Sequence, residues 1–360
     1  MTTHATTVTE LLKKMIATPS FSRDEKAVAT LLREFFAEHG IATNTSGNNT
    51  WAYGRHIQPS KPTLLLNSHC DTVKPNAGWT KDPFTPVVED GKLYGLGSND
   101  AGGALCSLVG AFLHFHDQEH LPFNLAIALT AEEEISGEGG IVSVLPYIGK
   151  IDSAIVGEPT LMKMAVAEKG LLVLDCVAYG KAGHAAREEG ENAIYKAMKD
   201  IEWFRTYRFP KKSQWLGEMK MSVTIIEAGT QHNVVPALCK FTVDVRVTDA
   251  YSHDEVLSII RENVSCEVVP HSLRLNPSGI PNDHPLVKAA NACGIDCYGS
   301  PTLSDQALIP VPSVKFGPGD SARSHTADEY IGLNEITEGV DGYIRLIEAY
   351  GKELNEIYSA

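Results

Sequence analysis

Apolar and polar positions repeat with a period near 3.6 in some stretches and near 2 in others, and the switches between them outline the elements. Val8, Leu11, Leu12 and Ile16 recur at helical spacing, and Ala27 to Phe36 repeats the stripe until Gly40. Between them Pro19-Ser-Phe-Ser-Arg-Asp is a break with cap candidates. A strand is predicted near 41–45, followed by a polar turn, Ser46-Gly-Asn-Asn-Thr50. Thr63-Leu-Leu-Leu-Asn-Ser-His69 begins as an apolar run fit for a strand buried on both faces. Residues 74–99 are loop-rich, with Pro75, Pro83 and Pro86, and a helix is predicted over 101–116. Residues 123–130 and 152–156 read as two more buried strands, which makes this part α/β.

The pattern changes near residue 165. Strands are predicted at 170–179, 220–228, 238–247 and 264–269, and helices at 191–204 and 253–263. In 238–247, Cys239, Phe241, Val243, Val245 and Val247 alternate with Lys240, Thr242, Asp244 and Arg246. This β-α-β-β-α-β order is a ferredoxin-like, two-layer α+β module with antiparallel pairing, about a hundred residues long. After a linker at 270–285, α/β patterning resumes with a helix from 284, a strand at 311–316 and a closing helix over 333–358. The predicted fold class is therefore α/β. A mixed-sheet domain, residues 1–165 and 278–360, carries an inserted smaller α+β domain, residues 166–277.

A length of 360 residues suits two domains of ~150 residues or somewhat more. Hydrophobic residues make up 43% and charged residues 21%, enough for an ample core in a soluble protein. The net charge is -14, from 31 basic against 45 acidic residues, with no basic run. Nucleic acid and anionic membranes are thus not expected partners. No apolar run reaches membrane-span length. The opening Met-Thr-Thr-His-Ala-Thr-Thr-Val-Thr-Glu lacks a basic and an apolar region, so no secretory signal is expected. Seven scattered cysteines fit reduced thiols in a cytoplasm.

The chemistry collects at strand ends. His69 and Asp71 are two apart and point the same way. They lie at a strand's C-terminal end, where open α/β sheets carry their sites. Such a pair is a metal ligand with its orienter or a base with its orienter. Gly95 and Gly97 hint at a dinucleotide loop, but Asp100 stands where the third glycine belongs. Asp100 reaches a helix start, where it is an N-cap or a ligand. Glu132, Glu133 and Glu134 follow the strand at 123–130, and adjacent carboxylates repel unless cations or solvent compensate. Glu158 follows the strand at 152–156, and His325 comes late in the same domain. Each has a structural reading alone; together His69, Asp100, Glu134, Glu158 and His325 point to a metal site. Carboxylate and imidazole suit zinc, and no thiolate competes. Two divalent ions are balanced by Asp100, Glu134, Glu158 and a hydroxide, and a shared carboxylate can bridge ions ~3.5–4 Å apart.

His69-Cys-Asp71, Gly97-Ser-Asn-Asp100, Glu132-Glu133-Glu134, Gly157-Glu158-Pro-Thr160 and Ser324-His325 with Asp328-Glu329 resemble the ordered motifs of the M20 dinuclear zinc amidohydrolases. That family includes acetylornithine deacetylases, succinyl-diaminopimelate desuccinylases, aminoacylase-like enzymes and glutamate carboxypeptidases. The resemblance covers nearly the whole chain. It implies two Zn2+ per subunit, with Co2+ or Mn2+ as possible substitutes. His69 and Glu158 would hold one ion, Glu134 and His325 the other, with Asp100 bridging. Asp71 would fix the His69 tautomer and Glu133 would be the general base. Three consecutive glutamates leave a one-residue slip open, with Glu132 as base and Glu133 as ligand.

The resemblance also implies a homodimer through the inserted domain, which serves the family as a lid. Gly180-Lys-Ala-Gly-His184-Ala resembles the family's lid histidine, which meets an oxyanion in the partner subunit's site; an exposed loop histidine is the simpler reading. Asn233 falls in a segment like the family's substrate loop. Arg246 matches an arginine that grips a substrate α-carboxylate, or it pairs with Asp244. Gly317-Pro-Gly-Asp320 could offer backbone N–H groups to that carboxylate. The implied activity is hydrolysis of an N-acyl amino acid, a small molecule, closest to acetylornithine deacetylation in arginine synthesis. Desuccinylation, dipeptidase or carboxypeptidase activity, and amino-acid binding without turnover are the alternatives.

Overall fold

A computed structural model describes residues 3–359; Met1 and Thr2, the start of the stretch read for a signal, lie outside the described residues. The chain forms two compact units. The larger comprises the chain through Val166, Gly279–Tyr298 and the part from Ser304 onward. The smaller comprises Ala167–Ser278 with Gly299–Leu303.

Four parallel strands organise the larger unit, in the order Asn124–Thr130, Thr63–His69, Ser153–Gly157 and Ser313–Phe316. Parallel strands are covered on both faces, which is why these runs are apolar almost throughout. Leu65, Ala126, Ala128, Ala154 and Val156 share one face with Ile141, Val144, Ile148 and Ile309. Leu64, Leu66, Leu125, Ile127 and Ile155 point to the other, where the helix Ala104–Phe115 packs. Each fully buried leucine or isoleucine contributes about 1.5–3 kcal/mol. The helices Thr3–Ile16 and Leu333–Ser359 flank Ala104–Phe115. Gly110 allows that approach, since a Cβ there would lie 2.9 Å from Val340 Cγ2.

Register sets where the strands stop. His69 lies beside Thr130, and Phe316 beside Gly157. The residues that leave this edge are therefore Cys70-Asp71, Ala131 to Glu134, Glu158 and Gly317. The closing helix locks the edge from below. Tyr343 is fully buried, stacks edge-on against Phe316 and donates its hydroxyl to the Phe316 carbonyl at 2.5 Å.

Several connections are more ordered than their polarity predicts. The turn at Ser46–Thr50 closes a hairpin of Asn44–Ser46 and Asn49–Tyr53, and the latter pairs antiparallel with Asn124–Thr130. Within 74–99, Val87–Glu89 and Lys92–Tyr94 pair around Asp90-Gly91, and Tyr330–Gly332 joins them. A strand is anticipated only near 41–45; the others are three to five residues long, too short for a local alternation to register. The helix expected from residue 101 begins at Ala104, because Ser98–Gly103 forms an irregular turn.

The smaller unit is a four-stranded antiparallel sheet in the order Lys220–Ala228, Leu238–Val247, Gly170–Tyr179 and Glu267–Pro270. Helices Ala193–Thr206 and His253–Asn263 supply Ala197, Phe204, Val256 and Ile260 to a core with Leu172, Leu174, Phe241, Val243 and Val245. Asn192 caps the first helix, and Ser252 with Glu255 forms a capping box on the second.

Tyr343→Phe removes one buried donor and leaves the Phe316 carbonyl without it. The expected loss is about 1–3 kcal/mol of stability, read as a lower denaturant midpoint.

Candidate metal centre

His69 ends its strand and is 2% exposed. Its Nδ1 lies 3.0 Å from the Asp71 backbone carbonyl and 3.4 Å from Asp71 Oδ1. Both are acceptors, so the neutral ring keeps its proton on Nδ1 and turns the Nε2 lone pair outward. Nε2 is 3.3 Å from Asp100 Oδ1, 3.7 Å from Glu158 Oε1 and 3.8 Å from Glu133 Oε2.

Asp100 arrives on a glycine turn. Gly97 has φ +73°, and a Cβ there would lie 2.5 Å from Thr72 Cγ2. The two oxygens of Asp100 face different imidazoles: Oδ1 faces His69, and Oδ2 lies 3.6 Å from His325 Nε2. His325 Nε2 is 2.9 Å from Glu134 Oε2. His325 has φ +60°, and its side chain is 54% exposed, in contrast to the buried His69.

The three glutamates diverge at the strand end. Glu132 has φ +57°, and its Oε2 accepts the Gly139 N–H, so its carboxylate is committed to its own turn. Glu133 and Glu134 face the imidazoles. Their N–H groups donate to Asp71 Oδ1 at 3.0 Å and Oδ2 at 3.2 Å, and Ser22 donates its hydroxyl to Oδ2 at 2.7 Å. Asp71 therefore anchors the glutamate turn, while its backbone carbonyl makes the nearer contact with His69.

The electrostatics fit cations. Burial pushes the Glu133 carboxyl well above its ordinary value; His69 opposes this, while Glu158, Asp305 and Glu134 push it further. Burial alone would lower His69, but Glu133, Asp100, Asp71 and Glu158 overcome it and raise the imidazole well above its usual value. Glu134 raises His325 to about 9. Two donor groups converge tightly, His69–Asp100–Glu134 and His69–Glu133–Glu158. The Cys70 thiol is held protonated by burial and does not compete. An all-oxygen-and-nitrogen donor set with excess negative charge suits divalent ions.

A family model described as peptidase family M20/M25/M40 matches residues 65–349. The chain belongs to this family. The acetylornithine deacetylase of Proteus mirabilis (strain HI4320) is 28% identical, with 96% of this chain and 97% of that protein aligned. Succinyl-diaminopimelate desuccinylase 2 of Ruegeria sp. (strain TM1040) is 26% identical, with 71% of this chain and 68% of that protein aligned. The Bacillus subtilis YXEP protein, described as a dinuclear metal binding peptidase from the M20 family, has the same fold. Its TM-score is 0.74 at 15% identity, covering 99% of each chain.

In this M20 chain the larger unit brings together His69, Asp71, Asp100, Glu133, Glu134, Glu158 and His325. His184, Asn233 and Arg246 belong to the smaller unit. His184 is exposed and accepts the Ala186 N–H on Nδ1; the Asn233 carbonyl accepts the Ala185 N–H. Arg246 makes a two-pronged pair with Asp244, at 2.9 and 3.0 Å.

Gly317 requires a correction. Its N–H is bonded to Thr160 Oγ1 at 3.0 Å, so it is not offered to a substrate carboxylate. A Cβ there would lie 2.6 Å from both the Glu158 carbonyl and Tyr343 Oη, so Gly317 is a close-packing residue beside the Glu158 tip. Sequence reasoning missed two groups. Ser22 lies in the break at 19–24 and reaches Asp71. Asp305 is buried, bonded to Thr130 Oγ1 at 2.9 Å and pushed up to about 7 by burial. Neither has a motif of its own.

Stripping divalent ions with a chelator should lower the melting temperature, and adding them back should restore it. At a hundredfold excess over Kd the gain is about 2.7 kcal/mol per site, checked by calorimetry with and without ions.

Proposed function

We propose that this chain is a two-zinc amidohydrolase cleaving the N-acyl amide of an N-acyl amino acid, N-acetylornithine or a close relative. The products are a carboxylate and the free amino acid. The observation that carries the reading is the division of the Asp100 carboxylate between His69 and His325, with Glu133 beside them. His69 and Glu158 are assigned to one ion, Glu134 and His325 to the other, and Asp100 to both. When bound, such an ion pair acts as a Lewis acid and draws the pKa of a bound water from ~15.7 towards ~7.

The chain's own residues supply the rest. Glu133 is the base: it accepts a proton from the attacking water and passes it to the departing amide nitrogen as the C–N bond breaks. Its backbone N–H is held by Asp71, which fixes where the side chain starts. A protein that only binds amino acids has no need of such a base. The deacetylase and desuccinylase names of the two relatives support removal of an acyl group from an amino-acid nitrogen, and the peptidase description of the structural neighbour keeps dipeptide hydrolysis as the second reading.

A panel of N-acetyl- and N-succinyl-ornithine, the matching citrulline derivatives and simple dipeptides tests the substrate. Release from an N-acyl amino acid is expected; release from dipeptides alone rejects the deacylase reading. Glu133→Gln should lower kcat by roughly 10²–10⁴-fold while keeping the ion content of the wild type, measured by elemental analysis. The homodimer reading draws support from the smaller unit, where Ile225 and Ile226 stand more than half exposed on the edge strand Lys220–Ala228. Sedimentation should give twice the monomer mass, and Ile226→Lys should shift it to monomer.

A further inference from the structure

Glu329 has no role in the assignments above, yet it is 2% exposed in the larger unit. Its Oε1 accepts the N–H groups of Asn99 at 2.8 Å and Asp100 at 2.9 Å, and its Oε2 accepts that of Gly97 at 3.0 Å. Its own carbonyl accepts the Gly95 N–H at 3.0 Å. One residue thus holds the turn that delivers Asp100 at four amides. Glu329 also sits four residues after His325, and the intervening chain is tied down. Asp328 accepts the Thr80 and Lys81 N–H groups at 2.9 and 3.0 Å, and Asn76 Nδ2 donates to the His325 carbonyl at 3.2 Å. Directly after it, Tyr330–Gly332 pairs with Lys92–Tyr94.

The geometry points to Glu329 as a positioning residue that couples the Asp100 turn to the His325 segment and so sets the span of the shared carboxylate between the two ions. It touches neither substrate nor ion. It acts through backbone amides, and only an acceptor on both oxygens can serve them all. Glutamine in its place keeps one acceptor oxygen for Asn99 and Asp100 but turns an NH2 towards the Gly97 N–H, donor against donor. Asp100 then loses its fixed reach. A bridging ligand is sensitive to such a shift, because moving towards one ion moves it away from the other. This inference rests on the two-ion reading of the site.

The test is Glu329→Gln in the full chain, titrated with Zn2+ against a chromogenic chelator and with Co2+ by its visible absorption spectrum. Thermal melting of the ion-free protein is measured alongside. The expected result is a roughly 10–100-fold loss of affinity for at least one of two ions, an altered Co2+ spectrum and a smaller melting-temperature gain on adding ions. A variant with a lower ion-free melting temperature but wild-type affinities and spectrum would make Glu329 purely structural and overturn the inference. Wild-type protein that binds neither ion would instead reject the metal-centre reading, which separates the two failures. Should the variant not fold, hydrogen exchange on the wild type decides. Amides 97, 99 and 100 should become more protected when Zn2+ is added, and unchanged protection there would overturn the coupling.

Discussion

A buried carboxylate costs several kcal/mol unless something compensates its charge. At the C-terminal ends of the four parallel strands the chain places Asp71, Asp100, Glu133, Glu134 and Glu158 around two imidazoles, with Asp305 behind them. Apolar strands are what make this costly arrangement possible. They bury both faces with leucine, isoleucine, valine and alanine, and stop together at one edge. The core supplies the stability and the edge concentrates the charge. Divalent cations held there would offset that excess.

The compensation has a second layer made of backbone. Asp71 accepts the N–H groups of Glu133 and Glu134. Glu329 accepts those of Gly97, Asn99 and Asp100. Glu25, fully buried, accepts the Glu132 N–H and an Asn48 side-chain N–H. Each of these carboxylates anchors a turn instead of pointing at the centre of the site. Asp100, Glu133 and Glu134 come from irregular backbone, which has no ladder to hold it. Charge-assisted bonds to buried acids do that work, and they are stronger than neutral ones.

The local signals were strong where one residue type had one purpose. The run Leu64-Leu-Leu66 announces a doubly buried strand, and the alternation from Cys239 to Val247 announces a sheet with one covered face. They were weak where a residue had two possible uses. Arg246 can grip a substrate or a neighbour, and its fork faces Asp244, two residues away on the same side of its strand. Gly317 can expose an amide or let chains approach, and the Thr160 hydroxyl and Tyr343 occupy it. The glutamate run could not be put in register from spacing, because all three residues are chemically alike. The left-handed backbone of Glu132 and the N–H bonds of Glu133 and Glu134 to Asp71 separate them.

The order of strand-end carboxylates and histidines along the chain, the two patterning regimes and the excess of acids over bases follow from the sequence by itself. Periodicity and composition are local and survive without coordinates. Tertiary structure decided which oxygen of Asp100 faces which histidine, which glutamates turn inward, and that Ser22, Asp305 and Glu329 support the site from distant parts of the chain. Those facts depend on distances between residues tens to hundreds of positions apart, set by strand register and turn geometry. No short-range pattern records them.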